Sequence, residues 1–197
     1  NTTGNTLNKG TLTAPAAGLT ITGGAGSVTF ALANDLLGLE GISTTAVLPL
    51  RTGTDTWSSI PYETGTFTPT FTFATVGDLG VVYTTQTGNY TRIGRIVFFG
   101  VSIAFTPTHT TASGQARFAG LPYAMGVVAS SGGAIFAQTA NLAWPASRTS
   151  VQISVTNGQS YLIFRGHGAA LADTVFTITQ FATAAAQDIG FSGWYTV

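Results

Sequence analysis

Alternation of threonine with aromatic rings between Thr66 and Phe73 is the feature that most constrains the fold of this 197-residue chain. Rings stand at every second position in Thr66-Phe67-Thr68 and again in Thr70-Phe71-Thr72-Phe73. A period of two places alternate side chains on opposite faces of a β-strand, so the rings are expected to face a core and the hydroxyls to face solvent. β-branched and aromatic residues also suit a pleated, half-buried surface. The pattern therefore predicts β-structure.

Charge is scarce along the whole chain. Charged residues make up 7% of it and the formal net charge is zero, whereas an average soluble domain carries about 25%. Without a basic stripe for phosphates, the composition argues against a nucleic-acid partner. The absence of cysteine excludes disulfides and thiolate metal sites. The apolar run from Ile96 to Phe105 is about half as long as the ~20 residues of a membrane helix, so no membrane insertion is expected.

The first part of the chain is poor in large side chains. Positions 1–62 hold only Phe30, Trp57 and Tyr62 as aromatic residues. Such a segment buries too little area to offset an ordering entropy of about 1 to 2 kcal/mol per residue, so it is expected to be ordered by copies of itself. This predicts a stem and connector over residues 1–62 and a head over residues 63–197.

Local patterns predict the elements of the stem. Alternating segments at 19–22 and 27–30 flank a glycine-rich turn at 23–26. Asn34 or Asp35 is placed to cap a short helix over residues 36–40, which would end at Gly41.

Beyond residue 62 the sequence predicts an all-β head. After the opening strand, the predicted strands are Val81–Thr84, Ile96–Phe105, Gln115–Phe118, Val127–Ala129, Ala134–Gln138, Val151–Val155, Tyr161–Phe164, Val175–Thr179 and Ile189–Tyr195. Turn signals fall at Thr87-Gly88-Asn89 and at Asn157-Gly158, the latter being the sharpest hairpin signal. Many short strands at this spacing favour a jelly-roll-like β-sandwich.

Five segments of the sequence resemble parts of bacteriophage tail fibres and tailspikes. Gly65-Thr66-Phe67-Thr68-Pro69, followed by the segment from Tyr83 to Arg95 (YTTQTGNYTRIGR), resembles the C-terminal domains of those proteins. LLGLEG at 36–41 and RTGTDTW at 51–57 resemble their shaft-to-head connector, and 191–195 resembles their last strand. The resemblance covers roughly residues 18 to 105 and the extreme C-terminus.

This resemblance implies a homotrimer whose thin, intertwined stem wraps three chains around one axis. It implies a receptor-binding tip on the virion tail, outside the cell, joined to other tail proteins through an N-terminal region that this sequence lacks. The expected partner is a host surface glycan, a polysaccharide or lipopolysaccharide, or a surface protein.

The residues give little support to catalysis. Gly190-Phe191-Ser192-Gly193 is one residue short of a G-x-S-x-G nucleophile elbow. The acidic residues of the predicted head occupy positions that are typical of loops and strand edges. They are Glu63, Asp78, Asp173 and Asp188. We therefore expect no catalytic residue, no cofactor and no metal site. Two alternatives stay open, a polysaccharide esterase or lyase of the same trimeric architecture and a purely structural trimerisation module.

Binding of a sugar without catalysis requires an exposed aromatic ring and side chains that donate and accept hydrogen bonds. The segment 138–148 supplies both on a predicted loop, with Trp144 beside Pro145, a residue that disfavours a central strand. Either this ring faces a sugar or it packs over the sandwich edge. The candidate receptor contacts are Trp144, Asn141, Gln138 and Arg148, with His109, Arg165 and His167 as a second loop group. Trp57 and Trp194, which lie inside the family-like motifs, are interpreted as packing residues.

Overall fold

The computed structural model describes residues 19–24, 27–32, 38–42, 46–54, 56–126 and 132–197. By its internal contacts the chain divides into two compact units, Asn1–Pro61 and Tyr62–Val197. The predicted roles of stem and head remain predictions. The predicted strand Val127–Ala129 lies outside the described residues.

The described residues of the smaller unit form two antiparallel strand pairs. β1 (Leu19–Gly24) pairs with β2 (Ser27–Leu32), as the alternating segments predicted. β3 (Val47–Gly53) pairs with residues 56–61 of β4 (Thr56–Phe67).

The short helix predicted over 36–40 is seen at residues 38–40, and its first positions lie outside the described residues. The backbone N–H of Ile42 donates to the carbonyl oxygen of Leu39 (3.1 Å) at its end.

The larger unit is a path of antiparallel strands. They are residues 62–67 of β4, β5 (Thr70–Thr75), β6 (Gly80–Ile93), β7 (Ile96–Thr108), β8 (Ser113–Ala119), β9 (Gly132–Ala140), β10 (Ser150–Val155), β11 (Tyr161–Gly168), β12 (Leu171–Val175) and β13 (Gln187–Thr196). Hydrogen bonding orders them β4-β6-β7-β13-β9-β10-β11-β8-β5, with β12 on β11. The predicted all-β class is confirmed.

Phenylalanine contacts show that this path folds back on itself as a sandwich. Phe71 of β5 stacks on Phe105 of β7, with ring centroids 4.5 Å apart. Phe118 of β8 and Phe164 of β11 both meet Phe191 of β13 edge to face, at 5.6 and 5.7 Å. None of these contacts joins hydrogen-bonded neighbours, so the rings bridge two layers, and each pair adds about 0.5 to 1.5 kcal/mol beyond its area burial.

Two hydrogen bonds join β5 and the residue before it to β6. The Phe71 backbone N–H donates to the hydroxyl of Tyr83 (2.8 Å), and Nε2 of Gln86 donates to the carbonyl oxygen of Pro69 (2.9 Å). β5 stands at one end of the path, so these bonds satisfy backbone groups at its open edge. Burial raises the pKa of the Tyr83 phenol.

The turn predicted at Thr87-Gly88-Asn89 is wrong, because β6 runs unbroken through it. Gly88 lies opposite Phe67 of β4. A Cβ at Gly88 would come within 2.7 Å of the Phe67 ring. The glycine therefore marks a close approach inside a strand and not a turn.

The strand predicted at Val175–Thr179 is also misplaced, since β12 ends at Val175. The side-chain oxygen Oε1 of Gln180 accepts a hydrogen bond from the backbone N–H of Thr177 (2.8 Å). That bond closes a turn, and Gln180 is three residues beyond the group it binds, so strand periodicity does not reveal it.

The Asn157-Gly158 signal is confirmed, because β10 and β11 form an antiparallel hairpin around it. Gly158 has φ of 71°, a left-handed conformation that glycine adopts at little cost. No helix among the described residues is long and apolar enough to cross a membrane.

Replacing Gly88 by alanine is expected to lower the free energy of unfolding by about 1 to 3 kcal/mol, because the new methyl group overpacks against Phe67. Gly133→Ala in β9 is the matched control, since a Cβ there meets no atom within 4 Å. Urea denaturation of both variants measures the difference, and equal midpoints for the two would contradict the close approach at Gly88.

Candidate functional site

The loop between β9 and β10 presents a tryptophan from a fixed backbone. Leu142 is 8% exposed and Pro145 is buried, whereas Trp144 between them is 45% exposed. Asn141 and Ser147 adopt left-handed φ values of 65° and 59°, which bend the chain at both sides of the ring. Two buried anchors therefore hold the loop while Trp144 points outward.

Arg148 ties this loop to β12. Its Nη2 atom donates to the carbonyl oxygen of Ala172 (2.8 Å) and to Oγ1 of Thr174 (2.6 Å). Its backbone N–H donates to the carbonyl oxygen of Pro145 (3.1 Å). The guanidinium thus fixes the loop and leaves Trp144 as its exposed ring.

The glycines of Arg165-Gly166-His167-Gly168 make room for the loop. A Cβ at Gly166 would lie 3.0 Å from Cγ of Arg148 and 3.3 Å from Cγ of Pro145. A Cβ at Gly168 would lie 2.5 Å from the carbonyl oxygen of Ser147. The loop predicted for this segment is wrong, because the segment belongs to β11, where alternation gives one face to the glycines.

The other face of β11 carries Arg165 and His167. Nη1 of Arg165 forms an ion pair with Oδ2 of Asp173 (2.5 Å), and its Nε donates to Oγ of Ser154 (3.2 Å). The hydrogen bond from Arg165 lowers the pKa of Asp173. Nε2 of His167 is buried and has no hydrogen-bond partner in the described part of the chain.

The described contacts of His109 are to residues other than Arg165 and His167. Nε2 of His109 lies 2.8 Å from the carbonyl oxygen of Phe181, its backbone N–H donates to Thr183, and its ring meets the edge of Phe73. His109 therefore packs at the core margin. Gln138 lies in β9 rather than on the predicted loop, and its side chain is outside the described residues.

The interpretation of Trp194 as a packing residue does not fit its exposure in the structure. Its ring is 43% exposed on the outer face of β13, opposite Phe98 of β7. Both rings line an open cleft of about 700 Å³. The alternation of residues in this segment could have predicted the exposure of Trp194. Phe191 and Tyr195 are buried on one face of β13, so Ser192 and Trp194 lie on the other face.

Glu63 joins two tyrosines at the start of the head. Tyr90 donates its hydroxyl to Oε1 (2.5 Å) and Tyr123 donates to Oε2. Arg92, opposite Glu63 in the β4–β6 register, places its guanidinium 4.7 Å from the Tyr123 ring centroid. The bonds from Tyr123 and Tyr90 lower the pKa of Glu63, and the bond to Glu63 is the largest cause of the raised pKa of Tyr90.

Asp78 and Asp188 do not belong to the Glu63 cluster. Asp78 accepts bonds from the backbone and hydroxyl groups of Thr110 and Thr111, and the Thr110 hydroxyl contributes most to its lowered pKa. Asp188 lies on β13. No group of three His, Cys, Asp or Glu side chains that could hold a metal ion occurs among the residues with described positions.

Comparison with known proteins gives one informative likeness. No protein-family model matches the chain, and no curated protein matches it. The chain is similar to the solved structure of the Dettilon tailspike protein (gp208), with a TM-score of 0.54 and 17% sequence identity over 68% of this chain. The match covers 24% of that protein's length. At this identity the likeness shows a shared fold.

Glu63→Gln tests the tyrosine–carboxylate cluster through pH. The lowered pKa of Glu63 means that its carboxylate stabilises the fold above its ordinary value of 4.5, and that this contribution is lost as the pH falls through the lowered value. We expect wild type to be more stable than Glu63→Gln near neutral pH, with a difference that shrinks below pH 4.5. Urea midpoints at several pH values measure it.

Tyr123→Phe is the companion variant for that experiment, since it removes one donor and leaves the Glu63 charge. Its pH-dependent loss is expected to be smaller than that of Glu63→Gln. A stability difference between wild type and Glu63→Gln that stays constant from neutral to acid pH would contradict the assignment.

Proposed function

We propose that this chain is the tip of a bacteriophage tail fibre or tailspike, and that it binds a host cell-surface glycan during adsorption. The observation that carries the proposal is the exposed Trp144 ring on a loop held by buried Leu142 and Pro145. The fold shared with a tailspike supports a role in the phage tail.

A fixed loop suits sugar recognition on energetic grounds. Ordering a side chain or loop on binding costs about 0.5 to 1.5 kcal/mol per immobilised side chain, and a rigid loop avoids much of that cost. Arg148 is already bonded to β12, and the backbone at Asn141 is already bent. A sugar would then meet a preorganised apolar ring, with the exposed side chain of Asn141 nearby in the loop as a hydrogen-bonding amide.

Assembly into a homotrimer would multiply this weak contact. Three copies of one site on one head raise the effective concentration of the second and third contacts without tighter single sites. In this proposal residues 1–62 form the intertwined stem, and the chain acts outside the cell on the virion tail. The scarcity of charge fits binding that depends little on salt.

The proposal assigns binding without turnover. Incubation with bacterial surface polysaccharide should give adsorption and no release of reducing sugar or acetate. Catalytic release of either product would favour a depolymerase or esterase of the same architecture.

Trp144→Ala is expected to weaken binding to surface polysaccharide by about tenfold or more, as truncation of an aromatic anchor typically does. Val82→Ala is the control, because Val82 is an apolar side chain that is 68% exposed elsewhere in the head. Surface plasmon resonance on immobilised polysaccharide measures the affinity and thermal denaturation checks the fold. Unchanged binding by Trp144→Ala would remove the loop from the site.

The molar mass in solution tests the assembly. Light scattering coupled to size exclusion is expected to give about three times the 20.2 kDa of one chain. A monomer would contradict both the stem and the avidity that the proposal depends on.

A further inference from the structure

The outer face of the β6-β7-β13 layer carries large apolar side chains that the sandwich core does not use. Alternation sends the buried residues of β7 to the core and Ile96 and Phe98 outward. In register beside them lie Ile93 on β6 and Trp194 on β13. These four side chains are 36% to 46% exposed. These side chains therefore form a contiguous exposed apolar patch, which differs from the single exposed apolar residues that are common on protein surfaces.

Glycine shapes this surface into a cleft. Phe98 and Trp194 face each other across the β7–β13 register, and Trp194 faces Gly133 on its other side. A Cβ at Gly133 would meet no atom within 4 Å, so space opens beside the tryptophan ring. The cleft of about 700 Å³ is also lined by Gln152 and Ser192.

A second cleft continues the first along β13. It has a volume of about 350 Å³ and shares Ser192 with the first cleft. Its lining adds hydroxyl and amide groups on β6 and β7, namely Thr87, Asn89 and Ser102, around Gly100 and Gly190. We call the two clefts together the outer groove. From Trp194 to Gly190 it follows four residues of one strand, roughly 13 Å.

Charge and polarity in the outer groove favour an uncharged ligand. None of the described residues that line the two clefts is ionisable, and Asp188 follows on β13 beyond the end at Gly190. An acidic polysaccharide would find no cation among these linings. Hydroxyl and amide groups instead offer donors and acceptors to sugar hydroxyls, while the rings at one end offer apolar faces to sugar C–H groups.

The exposed area argues against a second copy of the chain as occupant. Aromatic side chains bury about 150 to 250 Å² each when fully covered, so the partly exposed stripe offers roughly 300 Å² of apolar area. A standard protein interface buries about 800 Å² on each partner, of which roughly 450 Å² is apolar. The groove is also concave and floored by glycine, a shape that suits a narrow chain better than a flat protein surface.

We propose that the outer groove binds an extended segment of neutral polysaccharide, with Phe98 and Trp194 stacking on sugar rings and Ser192, Asn89 and Ser102 bonding to sugar hydroxyls. This site rests on the proposed function and is separate from the Trp144 loop, which does not line it. The glycan would thus meet each head at two surfaces.

The test uses the full chain and an immobilised panel of neutral and acidic bacterial polysaccharide fragments. Phe98→Ala and Trp194→Ala are each expected to weaken binding to neutral fragments by about tenfold or more, with little effect of added salt. Ser192→Tyr keeps both rings and obstructs the point shared by the two clefts, so it should have the same effect. Val82→Ala is the control, and thermal denaturation checks that every variant is folded.

Loss of binding in the three groove variants supports the proposal. Binding that Trp144→Ala abolishes and the groove variants leave unchanged overturns the groove alone, while a wild-type chain that binds no fragment overturns the proposed function as well. Binding that is confined to acidic fragments overturns the proposal that the ligand is a neutral polysaccharide. A smaller molar mass for Phe98→Ala or Trp194→Ala by light scattering identifies the groove as a subunit interface and overturns the proposal.

Discussion

The head depends on phenylalanine rings that meet between two layers of strands. Phe71, Phe118 and Phe164 face Phe105 and Phe191 across the core, and these rings are 3% exposed or less. Charged residues are 7% of the chain, so ion pairs are too few to define such a packing and apolar burial must do so. This contact between layers fixes which face of each strand turns inward, and every surface feature follows from that choice.

The outward faces acquire their chemistry from the same alternation. Because Phe191 and Tyr195 turn inward, Ser192 and Trp194 turn outward and create the outer groove with β7. On β11, Gly166 lies beneath the Trp144 loop while Arg165 takes the opposite face. Glycine is needed where another segment of the same chain approaches a strand closely. For this reason the glycine-containing segments 87–89 and 165–168, whose sequences predicted a turn and a loop, are parts of strands.

The few carboxylates serve local structure through neutral donors or one cation. Glu63 binds two tyrosine hydroxyls, Asp78 binds two threonines, and Asp173 binds Arg165. Each is thereby held ionised, with a lowered pKa. Glu63 and Asp78 join segments distant in sequence, whereas Asp173 joins the neighbouring strands β11 and β12. The proposed glycan surfaces consequently have few free charges, which fits adhesion through stacking, hydrogen bonds and repetition.

The sequence by itself determined the all-β class, the β1–β2 pair, the hairpin around Asn157-Gly158 and the place of Trp144 on a loop, because period-two alternation and turn chemistry are local. Tertiary structure alone decided that β6 passes through Gly88 beside Phe67, and that His109 packs against Phe181. It also decided that Phe98, Ser192 and Trp194 share one groove. These are contacts between residues far apart in the chain, and they exist only once the phenylalanine core has set the register of neighbouring strands.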